Sequence, residues 1–269
     1  MVGLATLDPL QAFPQKELSI GWGEFLQETE SAPAKHMTER SSEKPIGLLL
    51  SGGLDSAILL GHLLQRARPV RPFYIQSRLV WQREELQAVK RLLQAMSSPQ
   101  LQELVLLELP LADVYDDHWA VTGRHTPGAE SPDEAVYLPG RNVLLTIKAA
   151  LWCQLHGVEE LALAVLGTSP FADAKPGFFE QFQAVLNCAG PAQIRIVYPF
   201  ARMGKREVMQ SGRDLPLGLT FSCIAPVEGL HCGKCNKCAE RQAAFRMLGV
   251  EDPTPYAPAA MPKPDTANG

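Results

Sequence analysis

The sequence predicts an α/β fold: a doubly wound (Rossmann-like), mostly parallel sheet followed by a small C-terminal four-cysteine module. Three observations predict it. Short apolar runs alternate with longer amphipathic ones from Pro45 to Gly212. The first of these runs ends in a glycine-rich loop, Ser51–Ser56, that opens a helix. Four of the six cysteines lie within sixteen residues, Cys223 to Cys238. Strands that alternate with helices imply a parallel sheet covered on both faces, and a local cysteine cluster implies a separate stapled unit.

Each element follows from its own pattern. Residues 1–44 hold isolated apolar stretches such as GWGEFL and a polar run, and read as an N-terminal extension and linker. Ile46–Leu50 is a buried strand, and Ala57–Arg66 places apolar residues at helical spacing. Val70–Gln76 and Leu104–Leu109 are further strands, with the amphipathic helix Trp81–Met96 between them. Arg141–His156 reads as helix, Leu161–Leu166 as strand, Phe178–Asn187 as helix, Ile194–Val197 as strand and Gly204–Gly212 as a short helix. Pro110–Gly140 has no sustained period and reads as a long loop region, a length more often functional than idle. The resulting organisation is an α/β domain over 45–215, a cysteine module with its helix over 216–250, and a Pro- and Ala-rich flexible tail over 251–269.

The 269 residues, 46% hydrophobic and 20% charged, suit a globular chain with a substantial core. A formal charge of −4 argues against nucleic acid as a partner. No apolar run reaches the roughly 20 residues of a membrane helix, so no membrane association is expected. The N-terminus lacks a basic start and long apolar stretch, and a cytoplasmic location is expected.

The loop SGGLDS comprises Ser51, Gly52, Gly53, Leu54, Asp55 and Ser56. Its two glycines allow close backbone approach, and the amides that follow form an anion-binding nest at a helix N-terminus. Ser51 and Ser56 add hydroxyl donors. Asp55 is out of place beside phosphate unless a cation bridges the two, and Mg²⁺ meets that need. The Lys-Ser/Thr ending of a Walker A loop is missing. The plain alternative is a glycine turn with an Asp helix cap.

Cys223, Cys232, Cys235 and Cys238 are spaced C-x8-C-x2-C-x2-C. Four thiolates satisfy a tetrahedral, structural Zn²⁺, and Lys234 and Lys237 can offset their charge. A redox pair or an iron–sulfur cluster would use similar spacing. Cys153 and Cys188 read as plain buried cysteines, and His231 as a bystander.

The loop resembles the PP-loop, SGGxDS, of the ATP-pyrophosphatase superfamily. Together with the cysteine cluster, the chain resembles the 7-cyano-7-deazaguanine synthase (QueC-like) family over roughly residues 45–250. Three more stretches carry that likeness: Pro139-Gly140-Arg141-Asn142, Pro199-Phe200 with Gly204-Lys205-Arg206-Glu207, and Phe221-Ser222-Cys223 with His231-Cys232-Gly233-Lys234-Cys235. The resemblance implies ATP cleavage to AMP and pyrophosphate, Asp55 and Lys205 as catalytic groups, and Arg141 and Asn142 at the nucleotide. It implies a small deazapurine substrate, ammonia as co-substrate, and a homodimer. Lys205 read alone is equally a solvated helix-start lysine, and Asn142 a helix cap. The family's segment of the type DxSGYPDCR is replaced here by Gly167–Pro176. Within it Asp173 takes the place of an acidic residue, and Lys175 is the nearest cation for a substrate carboxylate. That departure implies a divergent paralogue as the alternative, one that joins a deazapurine to another acceptor, a protein included. A tRNA-modifying PP-loop enzyme and a non-catalytic zinc scaffold are the remaining rivals.

Overall fold

Ile46–Leu49 (β1) is the centre from which the sheet grows. The computed structural model of the protein describes residues 44–66 and 68–258. The expected N-terminal extension up to residue 43 and the tail from residue 259 lie outside them. β1 pairs in parallel with Val70–Gln76 (β2) on one side and Glu160–Ala162 (β4) on the other. Val105–Glu108 (β3) and Arg195–Val197 (β5) add outside these, also in parallel, giving the order β3-β2-β1-β4-β5. The order reverses between β1 and β4, so a crevice opens there at the C-terminal edge of the sheet.

The two faces of the sheet bury different helices. One core joins Ile46, Leu48 and Tyr74 to apolar residues of Leu54–Leu64 (α1), Gln82–Ala95 (α2), Lys205–Ser211 (α7) and Asn236–Leu248 (α8). The other joins Phe73, Leu161 and Ile196 to Arg141–Leu155 (α5) and Pro176–Ala189 (α6). This is the doubly wound α/β arrangement that the alternation predicts. Strand residues alternate between the two cores because successive side chains point to opposite faces. Cys153 of α5 is buried in the second core, whereas Cys188 at the end of α6 is exposed, contrary to expectation.

Pro110–Gly140 is not a plain loop. It forms Ala112–Tyr115 (α3), Trp119–Thr122 (α4) and a 3-10 turn at Asp133–Val136. Its apolar residues Ala120, Val136 and Leu138 pack in a third core with the four clustered cysteines. Backbone bonds fasten it there: Ala129 N–H donates to the Lys234 carbonyl (2.9 Å) and Asn236 N–H to that of Pro127 (3.0 Å).

Residues 251–258 also depart from the flexible tail expected of them. Thr254 is buried, and Ala257 N–H donates to the His231 carbonyl at 2.8 Å. The fully buried Arg241 of α8 binds the Thr254 and Thr220 hydroxyls and the Leu217 carbonyl. A buried guanidinium must find such partners, and this short stretch supplies one of them. The cysteine module and the sheet fall within one compact unit.

Candidate active site

The phosphate loop leaves β1 at its C-terminal end. Gly52 has φ +80°, and a Cβ there would stand 2.9 Å from Val89 Cγ2 and 3.3 Å from the Glu85 carbonyl of α2. Only glycine fits, because the loop is pressed against a helix in a left-handed conformation. Phe221 N–H fixes the loop from the other side by donating to the Gly52 carbonyl at 2.8 Å. Gly53 is the N-cap of α1 and brings no side-chain acceptor. The first turn of α1 therefore has no side-chain cap on its amides, as an anion site requires. The Ser51 and Ser56 hydroxyls lie 3.1 Å apart at its edge.

Asp55, in the first turn of α1, meets Lys205, the first residue of α7. Lys205 Nζ donates to Asp55 Oδ1 and Oδ2 at 2.9 and 3.0 Å. It also lies 3.2 Å from Glu240 Oε1 on α8, and Lys237 Nζ reaches Glu240 Oε2 at 2.7 Å. Lys205 is thus no solvated lysine: its side chain is 17% exposed. Burial raises the Asp55 carboxyl more than Lys205 lowers it. Burial works against the Lys205 charge, yet Asp55 and Glu240 together hold that ammonium above its ordinary range. Burial also pushes Glu240 up, but Lys237 and Lys205 outweigh it and hold that carboxyl well below the usual range. Lys237 accordingly serves Glu240.

Across the crevice, α5 opens with Arg141 and Asn142 after an N-cap at Gly140 (φ +73°). Asn142 Nδ2 donates to the Asp173 carbonyl at 3.3 Å, so it joins two segments and does not cap its own helix. Arg141 Nε is buried and has no hydrogen-bond partner. Its charge acts on Glu85, Tyr74 and Tyr115. The Tyr74 hydroxyl donates to Glu85 Oε2 at 2.8 Å, and burial pushes the Glu85 carboxyl up to about 7. Asp173 is 7% exposed, and neither of its carboxyl oxygens has a partner. A stacked pair, Tyr137 and Phe171, has ring centroids 5.2 Å apart close by in sequence. Lys175 is not brought to Asp173: it is exposed, and its Nζ donates to the Ser169 carbonyl. Glu85 and Glu240 escape sequence reasoning, because acidic residues on amphipathic helices look like solvated faces.

The cysteine cluster closes as the spacing requires. The Cys223, Cys232, Cys235 and Cys238 sulfurs are buried and lie within 4.8 Å of one another. Two of the sulfur pairs, 223–235 and 232–238, are 3.9 Å apart. Four thiolates about 2.3 Å from one tetrahedral ion would be about 3.8 Å apart, so the geometry fits such an ion. Cys232 N–H and Ala225 N–H point at the Cys223 sulfur, as they would towards a thiolate. Hydrogen bonding with Cys235 pushes the Cys223 thiol up to about 12, and the same contact pulls Cys235 far down. Such crowding is relieved by a cation. His231 stays outside: its Nε2 accepts from Ser222 N–H at 3.1 Å, and burial lowers it to about 4.

Two cavities, of about 560 and 630 Å³, open at the opposite edge of the sheet, where Ile46, Glu160 and Arg195 begin their strands. The phosphate loop, Lys205 and Arg141 all stand at the other edge. Cavity size does not mark the site here, because an open α/β crevice binds its ligand with loop ends and not by enclosure.

A doubly wound sheet with SGGLDS at its first strand end defines the class: the chain is a PP-loop enzyme of the ATP-dependent ligase type. The family model described as queuosine biosynthesis protein QueC matches residues 46–249, and the chain belongs to that family. The 7-cyano-7-deazaguanine synthase of Solidesulfovibrio magneticus is 30% identical over 245 residues, covering 82% of this chain and 99% of that protein. That of Azotobacter vinelandii is 32% identical over 230 residues, covering 80% and 99%. The Syntrophobacter fumaroxidans synthase is 31% identical, covering 78% and 94%. Among the described residues no helix is long and apolar enough to cross a membrane.

Proposed function

We propose that the chain converts 7-carboxy-7-deazaguanine and ammonia to 7-cyano-7-deazaguanine, with ATP cleaved to AMP and pyrophosphate. The observation that carries this is the meeting of Asp55 and Lys205 at an uncapped helix N-terminus in the sheet crevice. Family membership supports the substrate class.

The residues take the following parts. Amides from Gly53 to Ser56, with the Ser51 and Ser56 hydroxyls, hold the phosphates of ATP. A carboxylate oxygen of the substrate attacks the α-phosphorus, and the bond to the bridging oxygen breaks as pyrophosphate leaves. Lys205 stabilises the charge that builds on that leaving group. One carboxylate with phosphate oxygens is the usual protein share of a Mg²⁺ site, so Asp55 fits that ion, which would supply further charge neutralisation when bound. Ammonia then displaces AMP from the acyl carbon and gives the amide. A second adenylation, on the amide oxygen, and loss of AMP and both N–H protons give the nitrile.

Arg141 and Asn142 bind at the nucleotide end of the crevice. Asp173 reads the ring: two buried acceptor oxygens without partners suit the adjacent N–H groups of a guanine-type edge. Arg141, half-buried and near enough for its charge to act on Glu85 and Tyr74, is a better cation for the substrate carboxylate than the exposed Lys175. The four cysteines hold Zn²⁺ in a structural role, since no ligand position is left open. A cytoplasmic location fits free cysteines kept as thiolates.

Product analysis tests the reading. Zinc-replete protein with Mg²⁺, ATP, ammonium and 7-carboxy-7-deazaguanine should yield AMP, pyrophosphate and the nitrile. All three should be lost in Asp55→Ala. AMP without nitrile would keep adenylation and assign another acceptor. No AMP at all would overturn the enzymatic assignment.

A further inference from the structure

Asp55 has two demands on the same two oxygens. Both take hydrogen bonds from Lys205 Nζ, at 2.9 and 3.0 Å. A cation carried in with the phosphates would need those oxygens. If Asp55 were the only partner of Lys205, binding the cation would strand a half-buried ammonium beside another positive charge, a costly arrangement. Alternatively, Lys205 would stay on Asp55 and exclude the cation.

Glu240 removes the dilemma. Its Oε1 lies 3.2 Å from Lys205 Nζ, and its Oε2 is anchored by Lys237 at 2.7 Å. The carboxylate is therefore held in place whether or not Asp55 keeps its share of the ammonium. Its carrier is held at both ends: α8 is N-capped by Cys235, includes Cys238 and buries Phe245 in the sheet core. Arg206, next to Lys205 on α7, fastens the two helices by donating to the Met247 carbonyl at 2.8 Å.

We propose that Glu240 is a positioning residue that keeps Lys205 at the phosphate loop while Asp55 turns from the ammonium to a nucleotide-bound cation. The exchange breaks no covalent bond and moves no proton: Lys205 gives up the two Asp55 oxygens, keeps Glu240 Oε1 and gains the phosphate oxygens. The cysteine module thereby contributes a side chain to the phosphate end of the crevice. This inference rests on the ATP-dependent reading above.

The experiment compares the parent with E240A, E240D and the double variant E240A/K205M. Mn²⁺ affinity is read by paramagnetic resonance in the presence of α,β-methylene-ATP, alongside thermal midpoint, bound zinc and AMP formation. E240A should weaken Mn²⁺ binding about tenfold, and E240D should recover it to within about threefold of the parent. Midpoint and zinc content should stay at the parent's values. Adding Lys205→Met to E240A should restore Mn²⁺ affinity, because the competing ammonium is gone, while AMP formation stays low. Parent-like Mn²⁺ affinity in E240A would overturn the inference alone. A loss that Lys205→Met does not reverse would make Glu240 a ligand or a structural prop, and would also overturn it. A parent protein that binds neither the nucleotide analogue nor Mn²⁺ would overturn both this inference and the ATP-dependent reading.

Discussion

A carboxyl group buried without a partner weakens a fold, and Asp173 is such a group. Asp173→Asn separates stability from binding. The amide relieves the unpaired carboxyl, so the thermal midpoint should hold or rise. It also turns one acceptor into a donor facing the ligand's donors, so KM for the deazapurine should rise on the order of 100-fold. KM for ATP should barely move. Steady-state kinetics on both substrates, with a melting curve, check this. Glu85 makes a different prediction. Its folded carboxyl is pushed up to about 7 from 4.5, so the unfolded chain binds fewer protons between those values. Stability should therefore fall as pH rises through that window and level off above it. Denaturant midpoints of Glu85→Gln should lack that fall, because the amide still accepts from Tyr74 but never ionises. Asp173 stood out in the sequence as a candidate through its place in a family segment, and Asp55 through its loop. Where Lys175 points was not legible, because nearness in sequence is not direction in space: its side chain bends back to the Ser169 carbonyl. Glu85 carries no sequence signal and Glu240 only its i,i+3 spacing from Lys237, since Tyr74 and Lys205 arrive from other elements.

Strands and helices buried on the sheet announced themselves by period, which is why β1, β2, α2 and α5 lie where the apolar pattern puts them. Elements held by neighbours did not. Pro110–Gly140 folds as short helical turns only because the cysteine module offers apolar surface and backbone partners. The tail at 251–258 is ordered by Arg241 and His231, residues that a reading of the tail alone does not include. The Asn236 side chain is one rivet of this assembly: Nδ2 donates to the Ser131 carbonyl at 2.8 Å. Asn236→Ala should cost about 1 kcal/mol and lower the midpoint by about 2–4 °C. Hydrogen exchange should rise over residues 128–136 and stay unchanged over β1 and β2. A change spread evenly over the sheet would show that the segment is not fastened there.

At the scale of the molecule, one face of the sheet ends in chemistry and the four-thiol cluster backs it. Stripping the metal with a strong chelator should cost the third core as well as the cluster, because Trp81, Ala120 and Val136 pack with those cysteines. Elemental analysis should give about one zinc per chain before treatment. Afterwards the near-ultraviolet signal of the stacked Trp81 and Trp119, 5.8 Å apart, should collapse and ATP cleavage with it. Far-ultraviolet helix content should fall far less. The doubly wound architecture was legible in the alternation itself, whereas the dependence of one end of the sheet on a distant cluster was not. One separation along the chain has a further meaning for synthesis. Lys205 meets Asp55 across 150 residues, and Glu240 follows Lys205 later still. A nascent or clipped chain can present the whole glycine loop and yet lack the groups that complete it. A fragment that ends before Lys205 is therefore expected to leave ATP uncleaved.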